Sequence, residues 1–463
     1  MTIWVPELSS QGPRYRALSD AIAVAIERGE LVPGDRLPPQ RRLADALGVT
    51  VGTVTRGYAE AERQGWLQAR IGSGTYVRGG VDAAAAFPLP GGERGEGLID
   101  LSLSLPPPHP LRAEALGRAL NAIARQPRLL QASVEYQAAD GLLDQRRQLA
   151  EWLASLDMPL PAEELLITQG GQHGISLALT SLLRPGERIA TDALTYPGLI
   201  GAAQQAHLKV DGIAMDADGM DVEALARLCA RQAPRLVYVT PDQNNPTGAS
   251  LSEARRQRLA ALAREYDFWL LEDGVQYLPA PARGTPLYQL APERTLFVFS
   301  TAKVLAGGLR IGILRAPERL RERLAAGLRA QSWMVPPLMI AAVCQWLASG
   351  DAETLLAWQC EELAARQALA RKRLAGFEVS GQPLGANLWL TLPHGMRSAA
   401  LVEALASRDV RVTSAEPFCV GSEPAPQAIR LCLSAAASRE ALDQALQVLL
   451  DALESPPLAP ATL

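Results

Sequence analysis

Ser300-Thr301-Ala302-Lys303-Val304-Leu305-Ala306-Gly307-Gly308-Leu309-Arg310-Ile311-Gly312 is the stretch around which the rest of the chain is organised. The run before it, Thr295-Leu296-Phe297-Val298-Phe299, is short and apolar like a buried strand, and a second strand-like run goes from Arg310 to Leu314. A lysine at the mouth of such a sheet calls for a reason. The chain has three lysines, Lys209, Lys303 and Lys372, and otherwise takes its positive charge from arginine. Arginine cannot serve where an amine must lose its proton and form an imine, because the guanidinium stays charged at any usable pH. Desolvation and neighbouring cations depress a lysine pKa and suit it to Schiff-base chemistry.

Ser300 lies three residues before Lys303 and Arg310 seven after. A hydroxyl and a guanidinium at those positions can both reach a phosphate on a group held by the lysine, and pyridoxal 5′-phosphate is the usual partner of such a lysine. Upstream, further parts follow in order. Leu165-Leu166-Ile167-Thr168 reads as a strand, Gly170-Gly171-Gln172 as the turn after it, and Gly174 to Leu183 as a helix. A glycine turn opening a helix presents free amides and the helix dipole to an anion. Tyr196-Pro197 follows the next strand. Leu236 to Pro241 leads to Asn244-Asn245-Pro246-Thr247-Gly248, and Phe268 to Asp273 ends in carboxylates. Alternating strands and helices predict an α/β domain with a mostly parallel sheet, in which ligands sit beyond the carboxyl ends of the strands.

Composition bounds the rest. A length of 463 residues predicts two to four domains, and 48% hydrophobic with 20% charged residues describes a soluble globular chain. A formal charge of −4 gives no whole-chain nucleic-acid signature. No apolar run is long enough to span a bilayer, and the first ten residues lack the pattern of a signal peptide, so a cytoplasmic protein is expected. Five scattered cysteines and four dispersed histidines support no metal site.

The first part of the chain reads differently. Leu18, Ile22 and Ile26 form one helical face from Arg14 to Glu27. A second helix, about Gln40 to Leu47, and a third, Val51 to Gln64, flank Gly48-Val49-Thr50, with Thr50 as N-cap and Val54, Tyr58 and Ala61 inward. Two short helices joined by a glycine turn are the helix-turn-helix signal, the second helix being the reader of the major groove. Trp66 to Val77 carries two strand patterns around Gly72-Ser73-Gly74, a β-hairpin wing. Arg41 and the amides at Thr50 and Thr53 suit phosphate contacts, Arg56 is a further DNA candidate, and Gly72, Gly74 and Thr75 bring the wing near a groove. Residues 79–97 are rich in glycine, alanine and proline and read as a linker that spans roughly 60 Å fully extended.

Two resemblances follow. Residues 12–78 resemble the winged helix-turn-helix of the GntR family of bacterial regulators, through Gly29-x-Leu31-x-Pro33-Gly34-x-x-Leu37-Pro38, Arg41, Leu43-Ala44, Leu47-Gly48-Val49, Thr53-Val54, Tyr58, Gly65 and the Gly72 to Thr75 wing. Residues from about 98 to 453 resemble fold-type I aminotransferases, with a large domain expected over 98–345 and a small one over 346–455. That resemblance implies roles by position. Lys303 carries pyridoxal phosphate as a Schiff base, Asp273 pairs with the pyridine nitrogen, Asn245 donates to the phenolic oxygen and Tyr196 stacks on the ring. Gly170, Gly171, Gln172, Ser300 and Arg310 hold the phosphate, Tyr136 reaches the neighbouring subunit's cofactor, and Arg430 binds a carboxylate. The combination is the architecture of the MocR subfamily, which implies a double-stranded DNA operator, a small-molecule effector and a homodimer, head-to-tail and domain-swapped in one version.

The chain departs from these patterns at three places. Valine stands at 51 where the GntR family often has arginine. Valine stands at 275 where a tyrosine commonly meets the cofactor's phenolic oxygen, with Tyr277 two residues further on, and Gly171 replaces a frequent hydroxyl residue. Three functions stay open from sequence. They are a regulator that binds pyridoxal phosphate and senses a small amine, amino acid or B6 vitamer, a true aminotransferase that keeps a DNA-binding domain, and a regulator whose second domain only dimerises.

Overall fold

The structure, a computed structural model, describes residues 4–6, 8, 12–28, 30–31, 35–63, 66–70, 74–77, 97–421 and 424–454. The chain divides into two units, Met1–Leu89 and Pro90–Leu463. The expected linker, 79–97, lies outside the described residues except for Gly97.

In the first unit, α1 (Arg14–Glu27), α2 (Gln40–Leu47) and α3 (Val51–Arg63) precede an antiparallel hairpin of β1 (Leu67–Arg70) and β2 (Gly74–Val77). Helix α2 stops at Gly48, whose φ of 63° is the left-handed conformation that glycine adopts without strain. Thr50 then caps α3, its Oγ1 accepting from Thr53 N at 3.2 Å. Leu18, Ile22, Leu43, Val54 and Ala61 are fully buried in the shared core. Gly57 permits the close α1–α3 crossing, since a Cβ there would lie 2.7 Å from Leu18 Cδ2.

The second unit begins with β3 (Ile99–Asp100), α4 (Leu111–Ala124), α5 (Pro127–Ala132) and α6 (Leu143–Ser155). Then come β4 (Leu165–Thr168), α7 (Gly171–Leu182), β5 (Arg188–Asp192), α8 (Pro197–Gln205), β6 (Lys209–Ile213) and a hairpin of β7 (Met215–Asp216) and β8 (Gly219–Met220). They are followed by α9 (Val222–Gln232), β9 (Leu236–Val239), α10 (Glu253–Glu265), β10 (Trp269–Asp273), α11 (Leu287–Leu290), β11 (Thr295–Ser300) and β12 (Gly312–Arg315). Seven of these strands form one sheet in the order β4-β12-β11-β10-β9-β5-β6, with β12 antiparallel to both neighbours and every other pair parallel. Helices cover both faces, so strands β4, β9, β11 and β12 are buried along their whole length rather than alternating. Strand β11 divides its side chains accordingly: Phe297 and Phe299 enter one core, Leu296 and Val298 the other.

Three helices, α12 (Glu318–Ser332), α13 (Pro337–Ser349) and α14 (Asp351–Arg373), lead to the last part. There β13 (Val379–Ser380), β14 (Asn387–Thr391), α15 (Ser398–Ala406), β15 (Val410–Arg411), β16 (Thr413–Ser414), β17 (Ala428–Cys432) and α16 (Arg439–Glu454) follow. The sheet β13-β14-β17-β16 is antiparallel, and β15 pairs in parallel with β3. The expected break after residue 345 falls inside α13. Trp346 and the start of α14, Leu355 and Leu356, pack in the large-sheet core, whereas Ala370 and Leu374 at the other end of α14 pack in the small one. Both cores need an apolar wall at their boundary, and one long helix supplies it to each in turn. No single helix among the described residues is long and apolar enough to cross a membrane.

Candidate functional site

Lys303 follows the carboxyl end of β11, where the chain leaves the sheet. Its amine donates to the Ser104 carbonyl, and Gln359 Nε2 holds the Lys303 carbonyl at 2.9 Å. Burial, and then the Arg430 and Arg310 guanidiniums, hold its pKa down at about 8 against the opposing Cys432 and Asp273. The amine therefore gives up its proton far more readily than a solvated lysine.

Asp273 ends β10. Its Oδ2 accepts from Tyr238 Oη at 2.6 Å and its Oδ1 from Val275 N at 2.9 Å. Burial raises its pKa, against which the Tyr238 and Val275 hydrogen bonds work. Asn245 Oδ1 accepts from Arg430 Nη1 at 2.9 Å, while Arg430 Nη2 donates to the Ser102 carbonyl at 2.5 Å. The same guanidinium lies 4.8 Å from the Phe418 ring centroid, and its Nε is buried without a partner.

The phosphate-side residues converge as well. Gly170 has φ 83° and opens α7, and a Cβ there would lie 2.6 Å from Arg310 Nη2. Only glycine lets that guanidinium lie against the turn. Ser300 Cβ is 3.5 Å from the position of a Cβ on Gly171, and Ser300 Oγ accepts from Ala302 N at 3.2 Å. Gln172 Nε2 donates to the Gly198 carbonyl at 2.8 Å, its Oε1 being buried without a partner. A Cβ on Gly198 would meet both Gln172 and the Tyr196 ring, which places Tyr196 beside the same turn.

Val275 accounts for one departure through the other. A Cβ on Gly171 would lie 2.8 Å from Val275 Cγ2, so the small residue at 171 makes room for the branched one at 275. Strand β10 ends at Asp273, so Val275 lies beyond the strand. The valine instead packs toward the core that contains Leu296 and Val298. Tyr277 packs against the opposite core with the Arg283 guanidinium 5.8 Å from its ring centroid, and it lines a small pocket together with Ser104, Gln276, Lys303 and Gln359.

Tyr136 stands apart. It is 82% exposed and its ring lies 5.8 Å from Trp333, with no contact to the residues around Lys303 among the described ones. Sequence reading missed Ser102, Ser104, Tyr238 and Phe418. Tyr238 comes to Asp273 through the β9–β10 register, which pairs Tyr238 with Leu271, two residues before Asp273, and which only the fold sets. Ser102 and Ser104 offer backbone carbonyls, which carry no sequence signal.

The residues fit a phosphorylated pyridine aldehyde. A buried carboxylate without a cation in contact, an amine of lowered pKa, a buried guanidinium nitrogen without a partner and a glycine turn beside an arginine are what its ring nitrogen, aldehyde and phosphate require.

In the first unit Arg41 is exposed on α2, and Thr50 and Thr53 share a 2.9 Å hydroxyl contact at the start of α3. Arg56 is exposed on α3, its guanidinium 4.4 Å from the Tyr15 ring centroid, a cation–π distance. Gly74, at φ 119°, lies against Arg36, and Thr75 O accepts from Leu37 N at 2.8 Å. Gly72 lies outside the described residues.

Comparison with known proteins gives two family matches: aminotransferase class I and II over residues 113–449, and bacterial regulatory proteins of the gntR family over residues 14–77. The chain is 30% identical over 451 residues to the uncharacterized HTH-type transcriptional regulator YdeF of Bacillus subtilis, covering 96% of each chain. It is 29% identical over 413 residues to the vitamin B6 salvage pathway transcriptional repressor PtsJ of Salmonella typhimurium, covering 89% of this chain and 92% of the other. An archaeal alanine:glyoxylate aminotransferase structure superposes with TM-score 0.70 at 26% identity, covering 78% of this chain and 92% of that one.

Proposed function

Since the chain belongs to the aminotransferase class I and II family and carries a gntR-family domain, the MocR-type architecture, we propose that it is a DNA-binding transcription regulator that senses a small amine through pyridoxal phosphate on Lys303. The observation that carries this reading is a winged helix in the same chain as a buried amine of depressed pKa ringed by Asp273, Arg310 and Arg430. The names of the relatives support it, since both are transcriptional regulators and one belongs to vitamin B6 salvage.

Pyridoxal phosphate, when bound, supplies an electrophilic carbon that condenses with primary amines. Lys303 Nζ would hold it and would be the group an amine effector displaces. Asp273, steadied by the Tyr238 hydroxyl, pairs with the protonated ring nitrogen and recovers the charge balance its burial lacks. Because Arg430 occupies Asn245 Oδ1, Asn245 Nδ2 is the group left to donate to the phenolic oxygen. The α7 amides from Gly170 to Gln172, with Ser300 and Arg310, hold the phosphate, and Tyr196 covers the ring. Arg430 receives an acid group on the effector. Val275 gives the phenolic oxygen no hydroxyl, which favours holding an amine over turning it over.

The protein works in the cytoplasm on an operator, as a homodimer in which Tyr136 serves the other subunit's site. The test uses purified full-length protein with added pyridoxal phosphate. A visible absorbance band should form, be lost on borohydride treatment and be absent from Lys303→Ala. Amines that shift it should alter the footprint on operator DNA, and donor plus keto acid should give no sustained turnover. Absence of the band in the wild type overturns the sensing mechanism, and steady turnover restores the aminotransferase reading.

A further inference from the structure

The outer face of α3 is unusual for a helix that must tell base pairs apart. Its exposed positions run Val51, Gly52, Thr55, Arg56 and Ala59. Arg56 lies with its guanidinium 4.4 Å from the Tyr15 ring centroid, and the other exposed positions offer a hydrocarbon side chain, a bare backbone, a hydroxyl and a methyl. Val51 is 42% exposed at the first turn. A Cβ on Gly52 would meet nothing nearer than Thr50 Oγ1 at 3.9 Å, so nothing within the unit keeps another surface from approaching the backbone there. The Thr55 hydroxyl is already engaged, lying 2.7 Å from Gln40 Oε1 and 3.0 Å from the Val51 carbonyl. With Oε1 taken, the Gln40 amide presents its Nε2 as a donor.

The major groove offers many polar groups and only one apolar one. Guanine and adenine are read by arginine, lysine, asparagine or glutamine in two-point contacts, and cytosine by an acceptor. Apart from Arg56, whose guanidinium lies over Tyr15, the exposed α3 positions provide none of these two-point readers. Thymine alone carries a methyl group, and its O4 acceptor adjoins that methyl on the same edge. A valine surface beside a single amide donor is complementary to that pair.

Resting on the DNA-binding reading above, we propose that α3 selects its operator through thymine methyl groups, with Val51 as the specificity-determining side chain and Gln40 Nε2 as the donor to the adjoining O4. The ligand is a duplex with thymine at the base pairs facing the first turn of α3. Arg41 and the Thr50 cap engage phosphates and set the helix in place without selecting sequence.

The experiment uses the full chain loaded with pyridoxal phosphate and an operator enriched from a random duplex library. Each thymine of that operator is replaced in turn by deoxyuridine, which removes only the methyl. At least one thymine in each half-site should then cost about fourfold in affinity, the value of burying one methyl group. Val51→Ala should bind the thymine operator less tightly and become indifferent to the replacement. Val51→Arg should move the preferred base at that position from thymine to guanine. Changes below twofold at every thymine overturn the proposal, as does a Val51→Ala protein that keeps the full deoxyuridine penalty. Binding to all duplexes alike, with no sequence enriched, also overturns it while leaving the DNA-binding reading intact. No binding to any duplex overturns that reading itself.

Discussion

Val275 and Gly171 are the two positions at which the site departs from the residues the aminotransferase resemblance leads one to expect, and a Cβ on Gly171 would lie 2.8 Å from Val275 Cγ2. Each departure has a consequence. A tyrosine at 275 would offer a hydroxyl to the cofactor's phenolic oxygen, stabilise its anionic form and loosen the proton held by the Lys303 nitrogen. Val275→Tyr should therefore lower the pH midpoint of the visible band, read by absorbance titration; an unchanged midpoint means the hydroxyl does not arrive. Gly171→Ser crowds the Val275 methyl, an overpacking cost of about 1–3 kcal/mol. It should weaken cofactor binding, and Val275→Ala in the same chain should restore it. Lys303 adds a pH dependence of its own. The neutral amine is the nucleophile, and burial lowers its pKa to about 8. The rate of cofactor uptake should rise roughly tenfold per pH unit below that value and level off above it, as stopped-flow absorbance would show.

Among the elements, α3 carries two opposite faces with separate duties. Its inner face depends on Gly57, which lets α1 approach to within Leu18 contact. Gly57→Ala should destabilise the winged helix by about 1–3 kcal/mol through overpacking. The expected result is a lower melting temperature for the first unit by circular dichroism, with the cofactor band unaltered. The segment after β3 is another element whose position depends on the site. Its Ser102 and Ser104 carbonyls accept from Arg430 and Lys303, while Leu101 is tied to Arg411 and Cys432 by backbone hydrogen bonds of 2.8 Å each. Residues 99–101 are thus fastened by the sheet, and 102–104 by the two cations. Once the cofactor engages Lys303, hydrogen exchange should rise in the peptide 102–107 and stay unchanged in 99–101.

At the scale of the molecule, the second unit leaves apolar side chains in the open around residues 130–143. Val134 is 79% exposed, Tyr136 82% and Trp333 56%, with Leu130, Leu142 and Leu143 nearby in sequence and also exposed. Side chains of this kind are characteristic of an interface with another chain. The homodimer proposed above would cover them and carry Tyr136 to the partner's phosphate. Val134→Asp should shift sedimentation from dimer to monomer and weaken pyridoxal phosphate binding in parallel, whereas Tyr136→Phe should weaken the cofactor and leave the dimer. A protein that sediments as a monomer before mutation rules this arrangement out.

The order of elements, the helix-turn-helix and the lysine with its phosphate-side companions were all legible in sequence, because each depends on local patterns: periodicity, glycine turns, and residues spaced a few positions apart. Asp273, Asn245 and Arg430 were legible only through resemblance, as no spacing rule connects positions so distant in the chain. Tertiary structure alone decided what those residues touch. Arg430 meets Asn245, Tyr238 steadies Asp273, Gly171 yields to Val275, and Arg56 lies over the Tyr15 ring. The shared boundary helix α14 was hidden for the same reason. A contact between residues far apart in sequence depends on how sheets and helices pack, and packing is a property of both partners at once, so neither stretch carries it by itself. The stretch from Ser300 to Gly312 was enough to announce an amine at the end of a strand; the fold around it set that amine's pKa, its carbonyl partner and the missing hydroxyl beside it.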